Sequence, residues 1–186
     1  MHCRGKLLHF RVAGLWSIVI HSVSRQESAR SAAQIPPGDV MAKIYLSSTY
    51  QDLKEYREEI YKALRQLQHD VIGMEDYLAE GSRPLAKCLN DVALCELYIG
   101  VFAFRYGYVP DEPANPDKLS ITECEYRQAV ATGKECLIFL VDENADWSVK
   151  QTDHHTGEND RGVRIDAFKA ALAKAHTRSP SGASSS

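Results

Sequence analysis

Four short apolar runs follow residue 40, and each is continuous rather than alternating with polar residues. A continuous run indicates a strand that is buried on both faces, as in a parallel sheet covered by helices. The runs lie at residues 44–46, 71–74, 97–102 and 136–141. They predict four strands of one sheet.

Between these runs, apolar residues recur at helical spacing. One helix face combines Leu53, Ile60, Leu64 and Leu67, another combines Leu85, Leu89 and Val92, and two more helices are expected over residues 120–132 and 164–176. Strands that alternate with helices predict an α/β fold with right-handed crossovers. A fifth strand is expected after the last helix, but serine residues follow there. We therefore expect that edge of the sheet to be truncated or diverged.

Polar residues with helix-capping spacing precede two of the predicted helices. Thr49 with Asp52, and Ser120 with Glu123, have the spacing of a capping box. Ligands of parallel α/β sheets bind beyond the carboxyl ends of the strands. We therefore expect the functional site at this edge, where a long loop with three prolines also lies, over residues 104–119.

Glu125 is the candidate catalytic residue. On a helical wheel for residues 121–131 it falls within the apolar arc, whereas Glu123 falls beside Arg127. Glu123 is explained as half of a capping box and as the ion-pair partner of Arg127. A carboxylate on a buried face costs several kcal/mol unless it is paired or used. The structural alternative for Glu125 is a buried ion pair with Arg105 or another cation.

Five further residues are candidates for substrate binding. Ser47, Ser48 and Thr49 follow the first predicted strand, where hydroxyls and free backbone N–H groups suit a phosphate or a ribose hydroxyl. The alternative for this turn is simple helix capping. Arg105 could contact a phosphate and Tyr106 could stack on a base. The alternative is that both only pack the long loop against the domain.

Charge divides the 186-residue chain in two. Residues 1–40 contain five basic and two acidic residues, a local charge of +3, whereas the whole chain carries −3. The boundary lies at the Pro-Pro-Gly-Asp sequence of residues 36–39. We expect a disordered or targeting leader over residues 1–40, one domain over residues 41–178 and a disordered tail over residues 179–186.

Composition argues against several classes of function. The acidic balance argues against a nucleic-acid partner, and no apolar run approaches the ~20 residues that a membrane-spanning helix requires. The five cysteines are odd in number and scattered, which indicates a reducing compartment and a cytoplasmic location. His154 and His155 lack a second cluster of ligands, so no metal site is expected, and no cofactor is indicated.

Three sequence blocks resemble a known family. They are KIYLSSTYQDL at residues 43–53, YIGVFAFRYG at residues 98–107 and SITECEY at residues 120–126. In this order they resemble the TIR-like "domain of unknown function 4062" (DUF4062) family, often found at the N-terminus of bacterial signalling NTPases and repeat proteins. The third block also resembles the catalytic helix of TIR-type NAD-cleaving domains and of nucleoside deoxyribosyltransferases.

In those enzymes a glutamate precedes a small residue by four positions and a Gly-Lys pair by eight. Glu125 stands in this relation to Ala129 and to Gly133-Lys134. The resemblance implies a flavodoxin-like, TIR-like three-layer domain with a parallel sheet of four to five strands. It also implies a signalling or effector domain that hydrolyses the N-glycosidic bond of NAD through Glu125, with NAD as substrate rather than cofactor.

The resemblance leaves two alternatives to NAD hydrolysis. One is a non-catalytic interaction domain of a signalling NTPase, which associates with itself or with an attached NTPase or repeat region. The other is a deoxyribosyltransferase-like domain that binds a nucleoside or nucleotide.

Overall fold

Strands and helices alternate along the chain in the computed structural model, which describes residues 5–10, 41–74, 76 and 85–176. The strands are β1 (Gly5–Phe10), β2 (Lys43–Ser48), β3 (Asp70–Ile72), β4 (Leu97–Phe102) and β5 (Glu135–Val141). The helices are α1 (Lys54–Gln66), α2 (Leu85–Leu94), α3 (Ile121–Ala131), α4 (Asp153–Thr156), α5 (Glu158–Arg161) and α6 (Val163–His176), with a 3-10 turn at Val149–Gln151. The four strands and four helices expected from the apolar pattern are confirmed.

The strands form one parallel sheet in the order β1-β5-β4-β2-β3. The central strand is β4, in which Ile99 pairs with Leu46 of β2 on one side and with Leu137 of β5 on the other. Strands β2 to β5 thus follow the flavodoxin-like order, in which the chain reverses direction across the sheet between β2 and β4. The domain has the predicted α/β three-layer architecture.

The fifth strand comes from the leader, which corrects the expectation that it follows the last helix. Strand β1 pairs with β5 over its whole length, from Gly5 opposite Cys136 to Phe10 opposite Val141. Without β1, the apolar strand β5 would leave a row of unpaired backbone N–H and C=O groups at a sheet edge. The expectation that the leader lies outside the fold is therefore wrong for residues 5–10. Residues 11–40 and the predicted tail lie outside the described residues.

Helices cover both faces of the sheet. Helix α1 packs on one face, where the core combines Leu53, Ile60 and Leu64 with Ile44, Leu46, Ile99, Val101, Leu137 and Phe139. Helices α2, α3 and α6 pack on the other, where it combines Val92, Tyr126, Ala129, Ile165, Phe168 and Leu172 with Tyr45, Tyr98, Phe102, Ile138 and Leu140. Successive residues of a strand point to opposite faces. Tyr45 therefore faces α3, whereas Leu46 faces α1.

One of the two predicted capping boxes forms as a cap. Ser120 is the N-cap of α3, and its hydroxyl accepts from the backbone N–H of Glu123 at 3.2 Å. Helix α1 instead has Leu53 as its N-cap, with no side-chain cap. The hydroxyl of Thr49 donates to Oδ1 of Asp52 at 2.5 Å. This hydrogen bond closes the turn that precedes α1 and does not cap a backbone N–H of the helix.

No helix in the described ranges is both long and apolar enough to cross a membrane.

Candidate functional site

Glu125 lies on the inner face of α3 and is 1% exposed, which confirms its predicted place on the buried face. Its Oε1 accepts a hydrogen bond from the hydroxyl of Tyr45 at 2.8 Å. Its Oε2 accepts from the hydroxyl of Ser47 at 2.5 Å. Tyr45 and Ser47 are two positions apart on β2 and so face the same side of the sheet. Two hydroxyls from one strand therefore hold both oxygens of the carboxylate.

Tyr98 adjoins this polar cluster on the same face of the sheet. The neighbouring Tyr98 hydroxyl is buried, and the pKa of Tyr98 is raised well above its ordinary value by burial first and then by the charge of Glu125. Tyr98 therefore stays neutral beside Glu125 over the physiological pH range.

A crevice of about 720 Å³ opens at the carboxyl edge of the sheet, next to this cluster. Its walls include residues 48–51 after β2, residues 107–109 of the long loop and the start of α3 at residues 121–122. This volume lies within the range of small-molecule sites. Glu125 is not on the crevice wall; it lies one helical turn beyond Ile121, which is.

Of the three hydroxyl residues at the carboxyl end of β2, one belongs to the Glu125 cluster and two line the crevice. Ser47 is buried and belongs to the Glu125 cluster, whereas Ser48 and Thr49 line the crevice. The Ser48 hydroxyl donates to the backbone carbonyl of Thr49 at 3.0 Å, and the Thr49 hydroxyl donates to Asp52. All three hydroxyl protons are thus donated within the protein, which leaves oxygen lone pairs and backbone N–H groups to meet a ligand.

Arg57 is a buried cation that the sequence analysis did not select. It is 1% exposed on α1, and its Nη1 donates to the Ser48 hydroxyl oxygen at 2.7 Å. It lies four residues after Leu53 and three before Ile60, both on the apolar face of the helix. The helical periodicity that places Glu125 on a buried face places Arg57 on one as well. Arg57 therefore ties α1 to the turn that lines the crevice.

Arg105 lines the crevice but is already paired. Its Nε lies 3.7 Å from Oδ1 of the fully buried Asp153, and its Nη2 contacts the carboxylate of Glu158. The cation considered as a partner for Glu125 therefore contacts these two carboxylates instead. Its guanidinium supplies less positive charge to a ligand than an unpaired arginine would.

Tyr106 points away from the crevice. It is 2% exposed, and its hydroxyl donates to Oε2 of Glu123 at 2.6 Å. Burial, and then this bond to a carboxylate, raise the pKa of Tyr106. Glu123 also accepts from Arg127, at 2.9 and 2.6 Å, which confirms the predicted ion pair. The aromatic residue that the loop presents on the crevice wall is Tyr108, which is 71% exposed.

The long loop is held in shape by Asn115, a second residue that the sequence analysis did not select. Its side chain is buried, donates to the carbonyls of Pro110 and Leu119 at 3.0 and 2.8 Å, and accepts from the N–H of Leu119 at 3.0 Å. Gly107 passes close to the turn after β2, with a φ of +94°. A Cβ there would lie 3.0 Å from Cγ2 of Thr49. Glycine therefore allows the loop to approach this turn.

The structure brings together only part of the predicted site. Ser48, Thr49 and Arg105 lie on the crevice wall, Ser47 joins Glu125 beneath it, and Tyr106 belongs to the packing between the loop and α3. Within the described ranges, no group of three or more His, Cys, Asp or Glu residues is placed to hold a metal ion.

Comparison with known proteins places this domain in a family. A TPR repeat-containing protein from Dictyostelium discoideum is 26% identical over 102 residues, which cover 47% of this chain and 6% of that protein. The chain thus spans a small fraction of that relative's length. A crystal structure of DnaI aligns with a TM-score of 0.32 and 12% identity, over 90% of this chain and 83% of that one. The family described as "Domain of unknown function (DUF4062)" matches residues 43–182, and the chain belongs to this family.

Proposed function

We propose that the crevice binds a nucleotide-like small molecule and that Glu125 acts on its N-glycosidic bond, with NAD as the candidate substrate. The observation that carries the proposal is the position of a crevice of about 720 Å³ at the carboxyl edge of the sheet, one helical turn from a buried carboxylate. This edge is where parallel α/β sheets bind ligands. The volume suits a nucleotide, and Tyr108 offers an exposed ring on which a base can stack.

The chemistry that suits Glu125 is stabilisation of positive charge on a sugar. When the bond between ribose C1′ and the nicotinamide nitrogen breaks, the electron pair leaves with nicotinamide and C1′ becomes electron-deficient. An ionised carboxylate can stabilise that charge or form an ester with C1′. Water then adds to C1′, which yields ADP-ribose and one proton. Nicotinamide leaves as a neutral molecule, so the step requires no strong general acid.

Catalysis requires a rearrangement at the carboxylate, because Ser47 and Tyr45 occupy both of its oxygens. A ribose hydroxyl that donates to Oε2 can replace the Ser47 hydroxyl, which then rotates away. The exchange preserves the number of hydrogen bonds to the carboxylate, and the buried Ser47 hydroxyl must then find another acceptor. Because Glu125 lies behind the crevice wall, that wall must also move before C1′ can reach the carboxylate.

The test combines binding with product release. The full chain, at high concentration, is titrated calorimetrically with ADP-ribose and incubated with NAD, and released nicotinamide is measured by chromatography. We expect both binding and release. Release with no binding of ADP-ribose would point to a different site, binding with no release would reduce the function to nucleotide binding, and neither would reject the proposal. A parallel incubation with a deoxynucleoside and a second free base tests deoxyribosyl transfer.

The second candidate is a non-catalytic interaction domain. The observation that favours it is the enclosure of Glu125, which is 1% exposed and bonded to two hydroxyls, as a structural tie between α3 and β2 would be. The match to part of a repeat protein also suits a domain attached to a repeat region. Sedimentation of the full chain over a range of concentrations tests self-association directly.

A further inference from the structure

Arg105 on the crevice wall contacts two carboxylates that differ in how deeply they are buried. Asp153 is fully buried, and its Oδ1 lies 3.7 Å from Nε of Arg105. The Glu158 carboxylate contacts Nη2 of Arg105, but the Glu158 side chain is 56% exposed and itself lines the crevice. One side of the guanidinium is therefore held inside the domain, whereas its Nη2 meets a carboxylate of the crevice wall.

The pair between Arg105 and Asp153 is the firmly held one. Oδ2 of Asp153 accepts from the backbone N–H of Tyr106 at 2.8 Å and from Nδ2 of Asn159 at 2.9 Å. Separating a buried carboxylate from its cation leaves a charge uncompensated, which is costly. The pair between Arg105 and Glu158 is weaker, because water solvates and screens an exposed carboxylate. Glu158 is therefore the partner that a ligand can replace.

The segment that carries Glu158 has an unusual backbone. The three residues that follow it have φ angles in the left-handed region: +48° at Asn159, +57° at Asp160 and +55° at Arg161. Residues other than glycine rarely adopt this conformation, because it costs free energy at each position. Backbone strain of this kind is concentrated at functional sites. Here the strained turn lies beside the crevice and places a carboxylate on Arg105.

We propose that Arg105 binds a phosphate group of the ligand in the crevice, and that Glu158 occupies the place of this phosphate in the free protein. A phosphate oxygen replaces the Glu158 carboxylate at Nη2, and Glu158 rotates into the solvent. Arg105 keeps a charged acceptor in the exchange, and its planar guanidinium matches the geometry of a phosphate. The proposal rests on the proposed function, since it assigns a place to the phosphates of the nucleotide.

Glu158 then acts as an internal competitor for anions. With both carboxylates ionised, the group formed by Arg105, Asp153 and Glu158 is net negative, which disfavours a phosphate until Glu158 moves away. A small anion gains only the contact with Arg105. A nucleotide also gains contacts of its sugar and base, so it displaces Glu158 more readily. The pair therefore favours nucleotides over free phosphate.

Glu158→Gln and Asp160→Asn are a matched pair of variants for the test. Each removes one negative charge from the same exposed turn with little change in size, and of the two residues Glu158 is the one that contacts Arg105. The full chain and both variants are titrated calorimetrically with pyrophosphate, ADP-ribose and adenosine. We expect Glu158→Gln to bind ADP-ribose and pyrophosphate about three- to ten-fold more tightly than the parent, and Asp160→Asn to stay within about two-fold. Adenosine carries no phosphate and should bind all three proteins equally.

A double-mutant cycle tests whether the gain depends on Arg105. Arg105→Gln removes the positive charge but retains an amide that can donate to Asp153. In this background Glu158→Gln should change ADP-ribose affinity by less than about two-fold, because the contact that it releases is already gone. Circular dichroism checks that the variants fold. If Arg105→Gln does not fold, Arg105→Lys keeps the charge beside Asp153 and should weaken ADP-ribose about three-fold or more through loss of the planar fork.

The outcomes separate this proposal from the proposed function. If ADP-ribose binds the parent but Glu158→Gln gains no more than Asp160→Asn, Glu158 is not a competitor, and nucleotide binding stands. Weaker binding of ADP-ribose to Glu158→Gln would show that Glu158 itself holds the ligand, which also overturns the proposal. If pyrophosphate follows the expected pattern while adenosine does not bind and ADP-ribose binds no more tightly than pyrophosphate, the anion site is supported and the nucleotide proposal fails. If no ligand binds any of the proteins, both are rejected.

Discussion

The hydroxyl of Ser47 donates to Oε2 of Glu125 at 2.5 Å, which joins two candidate residues that are 78 positions apart in the chain. The bond connects the end of β2 to the middle of α3, directly beside the crevice. It also means that the carboxylate is satisfied by neutral donors.

Glu125→Gln is expected to change activity far more than stability. The glutamine keeps one carbonyl oxygen, and a hydroxyl can rotate to accept from its amide, so the free energy of unfolding should change by at most about 1 kcal/mol. Nicotinamide release should fall by roughly 10²–10⁴, which is about 3–5 kcal/mol of barrier, with ADP-ribose affinity nearly unchanged. Urea unfolding and single-turnover kinetics measure the two effects. Equal release by parent and variant would remove Glu125 from the chemistry.

Glu123 provides the matched comparison. Glu123→Ala removes the acceptor of the Tyr106 hydroxyl and the partner of Arg127, and it should lower the free energy of unfolding by about 1–2 kcal/mol. Arg127→Ala should cost less than about 0.5 kcal/mol, because that side chain is 57% exposed and solvent screens its ion pair. Glu123→Gln should leave nicotinamide release within about three-fold of the parent. Similar costs for the two alanine variants would show that the Tyr106 bond contributes little.

Asp52 should make stability depend on pH. Burial is the main cause that raises its pKa to about 6, from 3.8, against lowering contributions from Thr49 and Arg105. Because the folded pKa is the higher one, the stabilising contribution is fully present below pH 4 and is lost as pH rises through 6. Asp52→Asn should remove this loss and stabilise the protein at pH 7 by on the order of 2 kcal/mol. Urea unfolding of the parent and of Asp52→Asn between pH 4 and 7 measures the difference in their free energies of unfolding. If that difference does not change with pH, the pKa of Asp52 is not raised in the folded protein.

Gly107 and Gly133 differ in what surrounds them. Both have a positive φ, +94° and +68°, but a Cβ at Gly107 meets Thr49 at 3.0 Å, whereas one at Gly133 meets nothing within 4 Å. Gly133→Ala should cost about 1 kcal/mol through backbone strain alone. Gly107→Ala should cost more and weaken ADP-ribose binding, because the loop must move away from the turn. Thermal unfolding and calorimetry test this; equal costs and unchanged binding would show that the close approach is unimportant.

Strand β1 is expected to contribute measurably to stability. A chain that starts at Met41 loses the backbone pairing along β5 and the packing of Leu7 and Leu8 on the two faces of the sheet. Its melting temperature should fall by about 5 °C or more. Leu8→Asp should destabilise the full chain, whereas Lys6→Ala, at an exposed position, should not. An unchanged melting temperature on truncation would contradict the pairing of β1 with β5.

Local patterns in the sequence were sufficient for the strands β2 to β5, the faces of the main helices and the burial of Glu125. The reason is that periodicity reports which side of an element avoids water, and this depends on residues only a few positions apart. The three sequence blocks also identified the family, which the match over residues 43–182 confirms.

Only the tertiary structure decided which distant groups meet. Periodicity marked Glu125 as buried but did not show that Tyr45 and Ser47, 80 and 78 positions away, supply its hydrogen bonds. It did not place β1 beside β5, because a six-residue strand in a basic leader carries no signal of its partner. Tyr106 lies beside Arg105 in sequence, yet it turns to Glu123 while Arg105 lines the crevice. Such choices depend on the free energy of pairing and packing across the whole domain, which no local window of sequence contains.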